Sequence, residues 1–217
     1  MSQRLLQLQE LTAFIPGRSR VFESSRAKYN SAMSKRVCPW WIGYLLASRL
    51  RRFLHDPQAV LSSYVHEGMT VLEPGPGMGF FTMELAKLVG HSGRVITVDV
   101  QPRMIAVLKK RLGKAGLASR VDARVVPNES LGVVDSSGTV DFVLAFAVVH
   151  ETPSSRQFFS QAAQASKPGA RLLLAEPAGH VKPDEFEREL ADAAEVGFVL
   201  RERPIVRRCQ AALLQKS

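Results

Sequence analysis

Cysteine is nearly missing from this chain: its 217 residues include only Cys38 and Cys209. They lie far apart, in neither CxxC nor metal-ligand spacing, which argues against a disulfide framework or structural zinc and suits a reducing cytoplasmic setting. No metal is expected. Aromatic residues make up only 7%. No apolar run reaches the length of a membrane span, and the first residues lack the compact apolar core of a signal peptide. Internal repeats and low-complexity segments are absent. Acids are scarce at one end: residues 1–66 carry 10 lysines and arginines against three acids, whereas 67–217 carry 19 against 17. The basic excess therefore belongs to the N-terminal segment. It can serve as a solvated extension or draw an anionic partner to residues 1–66.

What remains is an ordinary globular composition, 46% hydrophobic and 23% charged, long enough for one domain with a short appendage. Residues 1–36 read as a basic arm, 37–66 as a helical extension and 67–217 as the body. In the extension, Trp40–Leu54 has helical periodicity, with Trp41, Leu45, Ser48 and Arg52 on one stripe, and Pro57–Tyr64 reads as a second short helix.

From Met69 onward apolar runs and helical patterns alternate. Strands are expected at Met69–Leu72, Arg94–Val100, Ala123–Val126, Val140–Ala145 and Arg171–Glu176, the last entered through a Lys167-Pro168-Gly169 turn. Helices are expected at Phe81–Val89, Arg103–Ala115, Ser154–Ala165 and Pro183–Val196. Phe198–Arg203 and Ala211–Gln215 sit too close in sequence for a helical crossover and should pair antiparallel. The pattern implies an α/β fold: a doubly wound, mainly parallel seven-stranded sheet, Rossmann-like, with an antiparallel last strand. Right-handed crossovers would line the strand C-termini along one ligand-binding edge.

At that edge lies Glu73-Pro74-Gly75-Pro76-Gly77-Met78-Gly79. Alternate glycines let backbone approach a ligand closely. The loop lacks the Lys and hydroxyl of a phosphate-binding loop, and Phe80 stands where a GxGxxG fingerprint needs glycine. No Lys or Arg occurs from Gly68 through Ala86. Twenty positions after Gly79, Asp99 ends the second strand, where a carboxylate can accept both hydroxyls of a ribose. Glu73 and Asp99 together ask for a ligand with a ribose and a positive charge but no phosphate.

The segment 73–79 resembles the [D/E]xGxGxG signature of class I S-adenosylmethionine-dependent methyltransferases. Arg94–Asp99, Asp141–Pro153 and Lys167–Pro177 resemble that family's later motifs in order and spacing. The likeness spans residues 57–217 and is greatest to the small-molecule branch that includes ubiquinone/menaquinone-type enzymes. It implies S-adenosyl-L-methionine as cofactor and methyl transfer to a small apolar or aromatic acceptor. By position, it places Glu73 near the methionine amino group, Gly75 and Gly77 along methionine and ribose, and Gly79 where the following helix packs close. Asp99 would hold the ribose hydroxyls and Val100 would lie against adenine. Asn128 or Glu129 would serve the adenine amino group, and Phe146 would border the methyl-donor pocket.

His150 and Glu151 follow the fourth strand at this edge. There they can act as a base for an acceptor that loses a proton; equally, His150 can cap the next helix or bond backbone. Nucleic-acid amino-methyltransferases often carry [D/N/S]PP[Y/F/W] here, whereas this chain has Phe146-Ala147-Val148-Val149-His150, which argues against base-amine methylation. Trp40, Trp41 and Tyr44 can shape an apolar acceptor site under a lid. Tyr29 and the tryptophans beside Arg26, Lys28, Lys35 and Arg36 can instead stack nucleic-acid bases, and Arg49, Arg51 and Arg52 can meet lipid headgroups. The alternative function is a cofactor-binding module without turnover that docks on nucleic acid, an anionic surface or a protein through its basic segment.

Overall fold

The computed structural model describes residues 55–217, all within the unit Cys38–Ser217. The Trp40–Leu54 helix and the basic arm lie outside the described residues.

A short helix α1, Pro57–Leu61, opens the described chain, with the Asp56 side chain accepting the Gln58 N–H at its start. It is three residues shorter than expected, because Tyr64 and Val65 close a turn back onto Leu61. Strand β1 (Thr70–Pro74), helix α2 (Thr82–Leu88), β2 (Arg94–Asp99), α3 (Pro102–Lys114) and β3 (Val121–Val125) follow. Then come β4 (Val140–Phe146), α4 (Ser155–Ala165), β5 (Ser166–Pro177), α5 (Pro183–Glu195), β6 (Phe198–Glu202) and β7 (Cys209–Lys216). The seven strands form one sheet in the order β3-β2-β1-β4-β5-β7-β6. The first five run parallel, and β7 is antiparallel to both β5 and β6. Here the doubly wound reading is met in full, with the closing hairpin folded back so that its second strand, β7, inserts beside β5.

Adjacent residues of the inner strands divide between two cores. Val71 and Val95 face one layer, Leu72 and Ile96 the other. That division is the two-residue pleat of a sheet covered on both sides, and it explains why these strands read as continuous apolar runs. Leu85 of α2 with Ile105, Leu108 and Leu112 of α3 seals the first layer. Phe158 and Phe159 of α4 with Phe186 of α5 seal the second.

The Lys167-Pro168-Gly169 turn is absorbed rather than lost. Ser166 already pairs with Val140, but the next pair is Arg171 with Phe142, so the intervening residues bulge out of β5, with Gly169 at φ 78°. The winding reverses between β1 and β4, and this places the loop after β1, the end of β2 and the turn after β4 at one crevice.

Candidate cofactor and acceptor site

Register sets the first part of the site. Glu73 and Pro74 pair with Thr97 and Val98, and the Gly75 N–H donates to the Val98 carbonyl at 2.9 Å, so the glycine loop rises beside Asp99. The three glycines divide their work. A β-carbon on Gly75 would lie 2.7 Å from Cγ2 of Val148, and one on Gly79 would collide with Leu108 of α3. Gly77 has φ 55° and nothing within 4 Å of where its β-carbon would be. Gly75 and Gly79 therefore let protein pack on protein, while Gly77 turns an open backbone face outward. Arg111 of α3 fixes the loop from below by donating to the Met78 carbonyl.

Both acids are buried, and among the described residues neither is paired with a cation. Glu73 is 3% exposed and accepts the Thr82 hydroxyl at 2.6 Å. Burial pushes its pKa up to about 8, against the Thr82 and Thr97 hydrogen bonds, with the Asp99 charge adding to the rise. Asp99 is 8% exposed and its Oδ1 accepts the Gln101 N–H at 2.8 Å. Burial raises its pKa to about 6, opposed by the N–H groups of Gln101, Gly77 and Val100. Two buried carboxyls of elevated pKa beside an open glycine face fit a hydroxyl-rich, positively charged nucleoside.

Val100 and Asn128 are half-buried and Glu129 is exposed. The Glu129 carbonyl is held at 3.0 Å by Gln157 and again by Gln161, both on α4. Phe146 is buried, its ring 4.5 Å from Phe81 and 5.1 Å from His55 between centroids.

Past Phe146 the backbone turns through Ala147 at φ 54°, a conformation rare for a residue with a β-carbon. Its N–H donates to Ala175 at 2.8 Å. A short 3₁₀ turn, Val149–Glu151, then presents His150. Among the described residues neither a helix cap nor a backbone bond holds His150: its Nδ1 lies 2.5 Å from Oε2 of Glu176, at the end of β5. Glu176 is 0% exposed, and its Oε1 also accepts the N–H groups of Val149 at 2.8 Å and Val148 at 3.3 Å. Desolvation pulls the His150 pKa down, but the Glu176 hydrogen bond and charge, helped by Glu151 and Glu189, carry it above its ordinary value. Glu151 stands on the same turn, and its charge adds to the rise. Glu176 escaped sequence reasoning; in the sequence it is an acid closing the apolar run Leu172-Leu173-Leu174-Ala175, as Glu73 closes Val71-Leu72. Trp40, Trp41 and Tyr44 lie outside the described residues.

Fold and site define a class I, S-adenosylmethionine-binding α/β domain. The model of the methyltransferase domain family matches residues 65–202, and the chain belongs to that family; its cofactor is S-adenosyl-L-methionine. It is 31% identical over 159 residues to the ubiquinone/menaquinone biosynthesis C-methyltransferase UbiE of Pseudoalteromonas translucida, covering 72% of this chain and 57% of that protein. An arsenite methyltransferase of Halobacterium salinarum is 33% identical over 109 residues, covering 50% of this chain and 27% of that one. A SAM-dependent methyltransferase from Aquifex aeolicus superposes with a TM-score of 0.74 at 26% identity, covering 83% of this chain and 100% of that structure. The chain spans a little over half the length of the UbiE relatives. Among the described residues, no helix is long and apolar enough to cross a membrane.

Proposed function

We propose that this chain transfers the methyl group of S-adenosylmethionine to a small aromatic acceptor whose reacting atom gives up a proton, with His150 receiving it. One observation carries the reading. His150 is held through Nδ1 by a buried carboxylate, two residues past Val148, the side chain that packs on Gly75 of the cofactor loop. Likeness to C-methyltransferases of quinone biosynthesis supports the acceptor class.

S-adenosylmethionine, when bound, supplies a methyl already activated on a sulfonium. The protein therefore has mainly to hold, orient and dry. Asp99 accepts the ribose hydroxyls, Glu73 faces the methionine amino group directly or through water, and the Gly75 and Gly77 backbone lines methionine and ribose. Val100 covers adenine, with Asn128 or Glu129 at its amino group, and Phe146 walls the donor side. Such alignment supplies about 7–11 kcal/mol in favourable cases. A positioned imidazole adds roughly a hundred- to ten-thousandfold where the acceptor is deprotonated.

Trp40, Trp41 and Tyr44, in a 37–66 extension, complete the acceptor side in this proposal. The basic excess of residues 1–66 supports docking on an anionic partner, and the family match beginning at residue 65 supports the division between extension and catalytic body. The scarcity of cysteine supports a cytoplasmic setting. The test is methyl-label transfer from labelled donor into a metabolite extract, with an RNA pool alongside. Label in an aromatic small molecule, lost in His150→Gln, is the expected result. Tight cofactor binding without transfer to any pool would make the chain a binding module instead.

A further inference from the structure

Resting on the proposal that His150 receives the acceptor's proton, we infer that Glu176 is its positioning residue, fixing which imidazole nitrogen is free.

The geometry is specific. Glu176 spends one carboxylate oxygen on the backbone of Val148 and Val149 and the other on Nδ1 of His150. With Glu176 accepting at Nδ1, the neutral imidazole carries its hydrogen on Nδ1 and keeps its lone pair on Nε2. Among the described residues Nε2 has no hydrogen-bond partner, and the His150 side chain is 23% exposed. The same carboxylate thus sets the ring's tautomer and the turn whose Val148 covers Gly75. Donor loop and proton acceptor share one anchor.

Glu189 lies on α5. It is 7% exposed, and its Oε2 has no partner among the described residues. Desolvation first, then the Glu176 charge, raises its pKa to about 8, with Glu185 and Asp192 adding and His150 opposing. Around His150 the charged and titratable groups are Glu151 on its own turn, Glu176 on β5 and Glu189 on α5, with the His180 ring 6.0 Å away. All the carboxylates favour the imidazolium, and Glu176 holds the ring at Nδ1.

The experiment is histidine-resolved NMR titration of the full chain with S-adenosylhomocysteine added, His150 being assigned by its loss in His150→Gln. In the wild type the neutral ring should carry its proton on Nδ1; a proton on Nε2 overturns the inference without any variant. Glu176→Gln should lower the ring's proton affinity at least tenfold and abolish the tautomer preference; because the amide oxygen can still accept the Val148 and Val149 N–H groups and hold the turn, S-adenosylhomocysteine affinity should change less than threefold. Glu176→Asp should restore part of the lost proton affinity. An unchanged ring in Glu176→Gln refutes the positioning role.

A rate profile against a soluble 1,4-naphthohydroquinone probe adds the functional arm. The acid limb should follow the His150 titration, moving with it in Glu176→Gln at unchanged donor KM. An acid limb that stays put while the ring shifts reduces Glu176 to a structural clamp. Full turnover by His150→Gln, with the Glu176 effect on the ring intact, instead defeats the proton-acceptor reading on which the inference rests.

Discussion

Thr82 donates its hydroxyl proton to Glu73 across 2.6 Å, and both side chains are buried. The contact ties the first turn of α2 to the end of β1, directly beneath the glycine loop. It is also too weak to keep Glu73 ionised at neutral pH, because a single hydroxyl offsets only part of the desolvation that raises the group to about 8.

Cofactor affinity should therefore depend on pH in a defined direction. Below about pH 8 Glu73 holds a proton, and a cationic amino group beside it favours the ionised form, so binding expels that proton. Affinity rises with pH, by at most about tenfold per unit for one proton, and levels off above about 8. Asp99, raised to about 6, steepens the fall at lower pH. Calorimetry in buffers of different ionisation enthalpy would measure the released proton directly. Glu73→Gln should bind more weakly at pH 9 and show no slope between 6 and 8. Thr82→Val should move the break in the curve upward. A flat profile in the wild type would place Glu73 away from the cation.

Asp99→Asn tests the ribose assignment with less disturbance than alanine, since an amide oxygen can still accept the Gln101 N–H that Asp99 now receives at 2.8 Å. The expected result is at least tenfold weaker binding of S-adenosylhomocysteine with a nearly unchanged melting temperature. Unchanged affinity removes Asp99 from the site.

How much of this was legible beforehand follows from sequence distance. The glycine loop, Glu73 and Asp99 belong to one β-loop-α-β unit, and their roles depend on spacing that a single chain displays. The strands were legible because a sheet covered on both faces demands unbroken apolar runs, as Val71-Leu72 and Val95-Ile96 show. The His150–Glu176 pair spans 26 residues and exists only because β4 and β5 lie side by side. No local pattern distinguishes Glu176 from an acid that merely meets solvent at a strand end. The same holds for β7: its sequence shows a hairpin partner for β6, but its place between β5 and β6 comes from the match of Leu172–Leu174 with Ala212–Leu214 across the sheet.

Gly77 and Gly79 should fail differently when changed to alanine. At Gly79 a methyl group collides with Leu108 in the core, so Gly79→Ala should unfold more easily, and Leu108→Ala in the same chain should return part of the loss. At Gly77 there is room, and the cost in stability is that of a left-handed residue, on the order of 1–2 kcal/mol. Cofactor binding should nevertheless be lost in Gly77→Ala, because the new methyl occupies the open face. Denaturant midpoints and binding measured on the same samples separate the two. Equal binding in wild type and Gly77→Ala would mean that this face is not the cradle.

Glu189 makes a prediction about stability that is independent of any ligand. Its folded pKa of about 8 stands above the roughly 4.3 of an unfolded glutamate, so between these values the native state binds more protons than the unfolded chain. Stability contributed by the protonated group is complete below about pH 4 and drains away as pH rises toward 8. Buried Glu73, also raised to about 8, acts with the same sign. Denaturation midpoints should therefore fall between pH 5 and pH 9. Glu189→Gln, which keeps the shape of the protonated acid but cannot ionise, should flatten much of that fall and leave the protein more stable than wild type at pH 9. If the variant is instead less stable than wild type at pH 9, Glu189 has an ionised partner there, and its carboxylate belongs to an ion pair rather than to a neutral buried acid.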